Sequence, residues 1–158
     1  MVLPDNRGMK TVEGIEGFKS LAGQHLGESE WHEVSQDRIN QFADATGDHQ
    51  WIHVDAEKAK AGPFGTTIAH GFLTLSLLPM LGSEVTHVNG IKMGINYGLN
   101  KVRFPSPVKV GSKVRASVRN LSVEDVQGGI QVVNEVTITA EGSDKPACVA
   151  ETVSRYYG

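Results

Sequence analysis

Cysteine is almost absent from this 158-residue chain, which has Cys148 alone. A single thiol excludes an internal disulfide and a metal site built from several cysteines. Cys148 lies in an alternating apolar pattern that is typical of a strand, so we expect a buried, unreactive thiol rather than a nucleophile.

Positive charge is not in excess either, because 15 Lys and Arg residues stand against 18 Asp and Glu, for a formal net charge of −3. This balance argues against the basic surface that binds nucleic acids or anionic membranes. Long apolar runs are also missing: the longest uncharged apolar stretch, residues 71–82, is too short to cross a bilayer, and the first residues lack a secretory signal pattern. We therefore expect a cytoplasmic protein with no nucleic-acid or membrane partner.

The first half of the chain predicts short helices around a turn. Residues 1–10 have no periodicity and predict a flexible lead-in, and residues 11–158 are expected to form one domain. Apolar residues at helical spacing predict a helix over 11–26 and another that begins after Ser35, as its N-cap, and ends at Gly47. A further short helix is predicted over 55–61.

The second half predicts a helix and a sheet. Residues 70–81 are apolar on nearly every face, which favours a helix buried on most sides. Four stretches rich in β-branched residues then alternate in the manner of strands, at 91–104, 113–123, 130–141 and 147–157. The pattern predicts an α+β fold in which a curled antiparallel sheet wraps around a central buried helix.

Candidate catalytic residues lie in the segment Gly47-Asp48-His49-Gln50-Trp51-Ile52-His53, which is followed by His70-Gly71 at the start of the apolar run. An acid and an imidazole five residues apart in a turn-rich segment are able to converge on one small molecule. The i, i+4 histidines His49 and His53 suggest a zinc-protease helix, but Gln50 stands where the catalytic Glu would be and Gly47 disfavours a helix. No metal site is therefore predicted.

These motifs resemble those of a known family. Together with Ile68-Ala69-His70-Gly71 and Val102-Arg103-Phe104-Pro105-Ser106-Pro107-Val108, the segment is similar to the MaoC-like (R)-specific enoyl-CoA hydratases, especially small single-domain members from actinobacteria. The resemblance covers residues 30–157 and implies a hot-dog fold, a homodimer joined edge to edge, and no cofactor. One difference is that the family usually has Asn-Pro where this chain has Gln50-Trp51, two residues that we assign to substrate contact.

The implied reaction is syn addition of water to a trans-2-enoyl-CoA, which gives the (3R)-hydroxyacyl-CoA and is reversible. It needs a base, an acid and a donor to the thioester oxygen. Asp48, expected to be partly buried, and His53 would hold the water between them. Gly71 would donate its backbone N–H at the start of the buried helix, an interaction typically worth about 3 kcal/mol, with His70 beside it under the loop.

Other assignments stay open at this point. Lys101 and Arg103 alternate on one predicted strand and are candidates to contact the phosphates of CoA or of an acyl carrier protein. The alternative is that they are exposed charges that only keep the edge of the sheet soluble. Trp51 would line an acyl tunnel, or lie in the core or an interface. The alternative functions are a (3R)-hydroxyacyl-carrier-protein dehydratase of fatty acid elongation, a non-catalytic acyl-thioester-binding module, which would have no use for Asp48 and His53 together, and a thioesterase.

Overall fold

The computed structural model describes residues 8–158, so most of the expected lead-in lies outside the described residues. Its strands are β1 (Lys10–Glu13), β2 (His25–Glu28), β3 (His32–Glu33), β4 (Thr86–Asn89), β5 (Met93–Arg103), β6 (Lys113–Val126), β7 (Gly129–Ala140) and β8 (Cys148–Tyr157). Its helices are α1 (Gly14–Lys19), α2 (Gln36–Thr46), α3 (Trp51–Val54), α4 (Ala56–Lys60), α5 (Gly71–Ser76) and α6 (Leu78–Ser83). The α+β prediction is confirmed.

The main sheet is antiparallel and has the order β2-β6-β7-β8-β5, with β3 also paired to β6. Its four long strands are those that the alternating pattern predicted. A separate parallel pair joins β1 to β4, with Val12 opposite Val88.

The predicted helix over 11–26 is wrong. The segment instead forms β1, the single helix α1 and then β2. Gly14 has a φ of 64°, which interrupts any continuous helix, and Gly17 approaches Val12 so closely that a Cβ there would lie 3.1 Å from the Val12 Cβ. Pairing with β4, a distant segment, overrides the local apolar spacing.

The predicted central helix is present but divided in two. α5 ends and α6 begins at Leu77, and Pro79 lies in the first turn of α6, where its missing N–H costs no helical hydrogen bond. Leu73, Leu77 and Leu81 are buried in the core that the helices share with the sheet. The expected burial of this helix on most sides fails at Phe72, which is 67% exposed in this single chain.

Cys148 belongs to this core and is fully buried, which confirms the expectation of an inaccessible thiol. Burial raises the pKa of the thiol to about 11, so the reactive thiolate is disfavoured at neutral pH. Among residues 8–158, no helix is long and apolar enough to cross a membrane.

Candidate active site

Asp48 is presented by the end of α2. The helix begins as predicted, with the Ser35 hydroxyl accepting the Arg38 N–H at 3.2 Å, and ends at Gly47, whose φ of 84° turns the chain while its N–H donates to the Ala43 carbonyl. The Asp48 carboxylate then accepts the backbone N–H of Gln50 at 3.3 Å. In this single chain Asp48 is exposed, and the expected partial burial is wrong because the turn carries it away from the core.

His53 lies in α3 and is only 6% exposed. Its Nδ1 is 2.7 Å from the carbonyl oxygen of Ile68. A carbonyl oxygen only accepts hydrogen bonds, so Nδ1 carries the proton, and in the neutral ring Nε2 keeps a free lone pair. This tautomer leaves Nε2 able to act as a base.

The segment that holds His53 is anchored by the loop before α5 and by α2. The Ile68 N–H donates to the Ile52 carbonyl at 3.0 Å, which brings the Ile68 carbonyl to the imidazole. The amide nitrogen of Gln36 donates to the His53 carbonyl at 2.8 Å, while its oxygen accepts the hydroxyl of Thr67. Gln36 thus fastens α2, α3 and the loop before α5 together. Nothing in the local sequence pattern distinguishes it from an ordinary polar residue in a first helical turn.

Asp48, His53 and His70 converge. A carboxylate oxygen of Asp48 and one ring nitrogen of each histidine lie within 4.8 Å of one another. Two hydrogen bonds of about 2.8 Å to one water place its partners roughly 4.6 Å apart at the tetrahedral angle. Separations within this 4.8 Å bound are compatible with an acid and a base that share a single water molecule.

His70 packs behind this pair. Its Nε2 is 2.9 Å from the backbone carbonyl oxygen of Asp48, and its ring stacks on that of His53 with centroids 3.9 Å apart and planes 23° apart. The ring lone pairs lie in these nearly parallel planes and do not converge on one point, which disfavours a metal ion held by both histidines. His49 turns to Asp44 at 2.9 Å, so the i, i+4 histidine pair is not brought together as ligands.

Burial lowers the pKa of His53 below its usual 6.5. The Ile68 carbonyl opposes this shift, His70 adds to it, and the Asp48 carboxylate opposes it weakly. The neutral imidazole is thus the favoured form at physiological pH.

A cavity of about 440 Å³ opens beside His53 and Gly71. Its other walls come mainly from the loop before α5 and the segment after β5: Ile52, Phe64, Ile68, Ala69, Thr74, Phe104, Pro105, Ser106, Pro107, Val108 and Ala147. The Phe104 ring packs on Gly71 so closely that a Cβ there would lie 3.1 Å from it. Phe64 and Thr74 carry no sequence signal for this role, whereas Phe104 belongs to one of the family motifs.

Of the residues singled out from the sequence, His53 and Gly71 line this cavity, whereas Asp48, His70, Gln50, Trp51, Lys101 and Arg103 are not among its walls. Gln50 caps α3 with its carbonyl, which accepts the His53 N–H at 3.0 Å. The Trp51 ring lies against Gly62 and beneath the Lys58 ammonium, 5.2 Å from the ring centroid. Lys101 and Arg103 are exposed on β5; Lys101 stands opposite Glu151 on β8, and Arg103 directly precedes Phe104 at the cavity wall.

Comparisons with known proteins place these features in a wider group. A family model described as "MaoC like domain" matches residues 17–142. The chain is 56% identical over 149 residues to 3-hydroxyacyl-thioester dehydratase Z of Mycobacterium tuberculosis, covering 94% of this chain and 99% of that protein.

Two solved structures share the fold. A monoamine oxidase regulatory protein from Archaeoglobus superposes with a TM-score of 0.76 at 25% identity, over 94% of this chain and 95% of that one. An (R)-hydratase from A. caviae, involved in PHA biosynthesis, gives a TM-score of 0.68 at 24% identity, over 82% and 94%. The predicted hot-dog fold, an antiparallel sheet that packs against a central helical segment, is confirmed.

Proposed function

This chain belongs to the MaoC-like family, and from that premise we propose that it is a hydro-lyase that adds water reversibly to trans-2-enoyl thioesters, with CoA as the carrier. The observation that carries the proposal is the convergence of the Asp48 carboxylate and the His53 imidazole within 4.8 Å, with His53 also lining the cavity. The name of the mycobacterial relative, a 3-hydroxyacyl-thioester dehydratase, supports the same reaction in the reverse direction.

The chemistry follows from the proton positions. Nε2 of His53 accepts a proton from the water as the water oxygen forms a bond to C3 of the substrate, while Asp48 holds the second hydrogen. Electrons move from the C2–C3 double bond toward the thioester carbonyl, whose oxygen gains negative charge. The Asp48–His53 pair then returns a proton to C2. Because the same pair delivers the hydroxyl group and the proton, both add to one face of the double bond, and the resemblance to the (R)-specific hydratases implies the face that gives the (3R)-3-hydroxyacyl thioester.

Gly71 is the proposed donor to the thioester oxygen. It lines the same cavity as His53 and begins α5, where backbone N–H groups have no acceptor within the helix. Pre-positioned donors stabilise charge that develops in the transition state. The chain's own residues thus supply the base, the proton and the oxyanion contact.

The direct test uses purified protein with crotonyl-CoA, longer trans-2-enoyl-CoAs and the same acyl chains on acyl carrier protein. We expect the absorbance of the conjugated thioester to fall and the product to have the 3R configuration, with higher kcat/KM on CoA. Faster turnover on acyl carrier protein would instead favour the dehydratase of fatty acid elongation. Release of free thiol without loss of the double bond would indicate a thioesterase, and no reaction with any thioester would favour a binding module.

Gly71→Ala is expected to lower kcat/KM about tenfold. The added methyl group would press on the Phe104 ring and occupy space that the thioester oxygen needs beside the backbone N–H. Steady-state kinetics on the best enoyl-CoA measure the effect. Gly82→Ala is the matched control, since a Cβ there meets nothing within 4 Å. Unchanged kcat/KM in Gly71→Ala would remove Gly71 from the oxyanion contact.

We further propose a homodimer joined along β5. Within the described residues this strand pairs only with β8, which leaves its other side unpaired, and it exposes a row of apolar side chains at Met93, Ile95, Tyr97 and Leu99. Edge strands of this kind are normally covered, and two-fold pairing is the commonest way to cover them.

The mass in solution tests this assembly. Light scattering after size exclusion is expected to give twice the 17.0 kDa of one chain. Adding Ile95→Lys and Leu99→Lys together is expected to produce a monomer, because the charges would be desolvated at the interface. Leu121→Lys, which changes an exposed leucine on β6, is the control and should remain dimeric. A dimer that survives the double substitution would place the interface elsewhere.

A further inference from the structure

His70 joins the two proposed catalytic residues through different contacts. Its Nε2 meets the backbone carbonyl of Asp48 at 2.9 Å, and its ring face stacks on that of His53 at 3.9 Å. The Asp48 carbonyl only accepts hydrogen bonds, so Nε2 is the protonated nitrogen. A single buried side chain therefore touches both members of the pair, one through its edge and the other through its face.

The other nitrogen of His70 makes no hydrogen bond to any described residue. Nδ1 is buried and has no hydrogen-bond partner within residues 8–158, although the side chain is only 3% exposed. An unsatisfied buried acceptor destabilises a fold, so packing alone would favour an apolar ring here. The remaining ring contact is with Phe42 on α2, whose centroid is 4.9 Å away. The features that a histidine adds to an apolar ring are its Nε2–H donor and its polar character.

We propose that His70 is a positioning residue. It keeps the Asp48 turn and the His53 ring at the separation that a shared water needs, and it does not itself exchange a proton with substrate. The Asp48 turn is otherwise held by its own short-range bonds, from the Gln50 N–H at 3.3 Å and to the Thr46 hydroxyl at 3.5 Å. Within residues 8–158, the bond from His70 ties this exposed turn to the start of the central helix, 22 residues away. The effect of His70 on turnover rests on the proposed function, whereas the contacts of His70 with Asp48 and His53 do not depend on it.

Two substitutions separate the contacts. His70→Gln keeps an N–H donor near the Nε2 position and loses the aromatic ring, whereas His70→Phe keeps the ring between Phe42 and His53 and loses the donor. A positioning role through the Asp48 carbonyl predicts that kcat falls about tenfold in His70→Phe, with KM changed less than twofold. His70→Gln is expected to recover kcat to within about threefold of the unchanged protein.

Other roles for His70 predict a different ranking of the two variants in kcat and in stability. If His70 served packing alone, His70→Phe would keep full kcat and His70→Gln would lose thermal stability. If His70 transferred a proton to substrate, both variants would lose kcat at least a hundredfold, because neither amide nor benzene replaces an imidazole as an acid or base. Either result would overturn the proposal.

An NMR measurement tests the structural content without any turnover. Long-range ¹H–¹⁵N correlation of the imidazole nitrogens at pH 8 is expected to show the Nε2–H tautomer for His70 and the Nδ1–H tautomer for His53. The Nδ1–H tautomer for His70 would overturn the inference even in an active enzyme. Conversely, the expected tautomers in a protein that hydrates no enoyl thioester would support the contacts of His70 with Asp48 and His53 and would reject the proposed function.

Discussion

Asp48→Asn is expected to slow enoyl-thioester hydration at least a hundredfold while leaving the fold unchanged. The amide oxygen still accepts the Gln50 N–H, so the turn keeps its local bond, but the neutral group no longer orients a water for attack or shares its proton. A hundredfold loss corresponds to about 2.7 kcal/mol of transition-state stabilisation, within the range of positioned acid–base groups. The measurement is kcat on the best enoyl-CoA, with circular dichroism and thermal unfolding to compare folds.

The matched control is Asp44→Asn, four positions earlier. Asp44 is exposed and pairs with His49, away from the cavity, so its loss is expected to change kcat less than twofold. If Asp48→Asn retained the kcat of the unchanged protein, Asp48 would have no part in the reaction and the water would have to be held by His53 alone.

His53→Asn is expected to have the second large effect, again at least a hundredfold on kcat. The asparagine amide N–H takes the place of Nδ1 and is able to donate to the Ile68 carbonyl, while nothing replaces the Nε2 lone pair. The substitution therefore deletes the base and preserves its anchor. His49→Gln, on an exposed histidine, serves as the control. Comparable kcat in His53→Asn and the control would contradict a catalytic imidazole.

The pH dependence gives a second readout on His53. Burial lowers its pKa below 6.5, and the groups that face it are the Asp48 carboxylate, His70 and the Ile68 carbonyl. Since the proposed base is the neutral imidazole, kcat/KM should hold through pH 6.5 and fall only below it. An acid limb at or above pH 6.5 would contradict the lowered pKa or assign the limb to another group.

The same shift affects stability with a definite sign. The unfolded chain binds a proton at His53 near pH 6.5, whereas the folded chain resists it until lower pH. The contribution to the free energy of unfolding is fully present above pH 6.5 and is lost as the pH falls through the folded pKa. His53→Asn should therefore flatten the dependence of the melting temperature on pH in this window.

Local sequence determined much of the frame around the site. Ser35 and Gly47 bound α2 as predicted, because a hydroxyl N-cap and a left-handed glycine act within one turn of helix. The four long strands were predictable because alternation of apolar residues encodes which face of a sheet is buried. The position of Asp48 directly after α2 followed from the same local rules.

Tertiary structure decided the strand pairing near the N-terminus and the hydrogen-bond partners of the site residues. The helix predicted over 11–26 was replaced by β1, a shorter helix α1 and β2, because distant strands supply the pairing, β4 for β1 and β6 for β2. The tautomer of His53 is set by the Ile68 carbonyl and its backbone anchor is Gln36, while the Asp48 carbonyl meets the distant His70 ring. The sequence alone determined which chemical groups are available and where α2 and the four long strands lie. Only the folded chain decided which nitrogen carries a proton and which groups meet, because hydrogen-bond partners drawn from distant segments leave no trace in local periodicity.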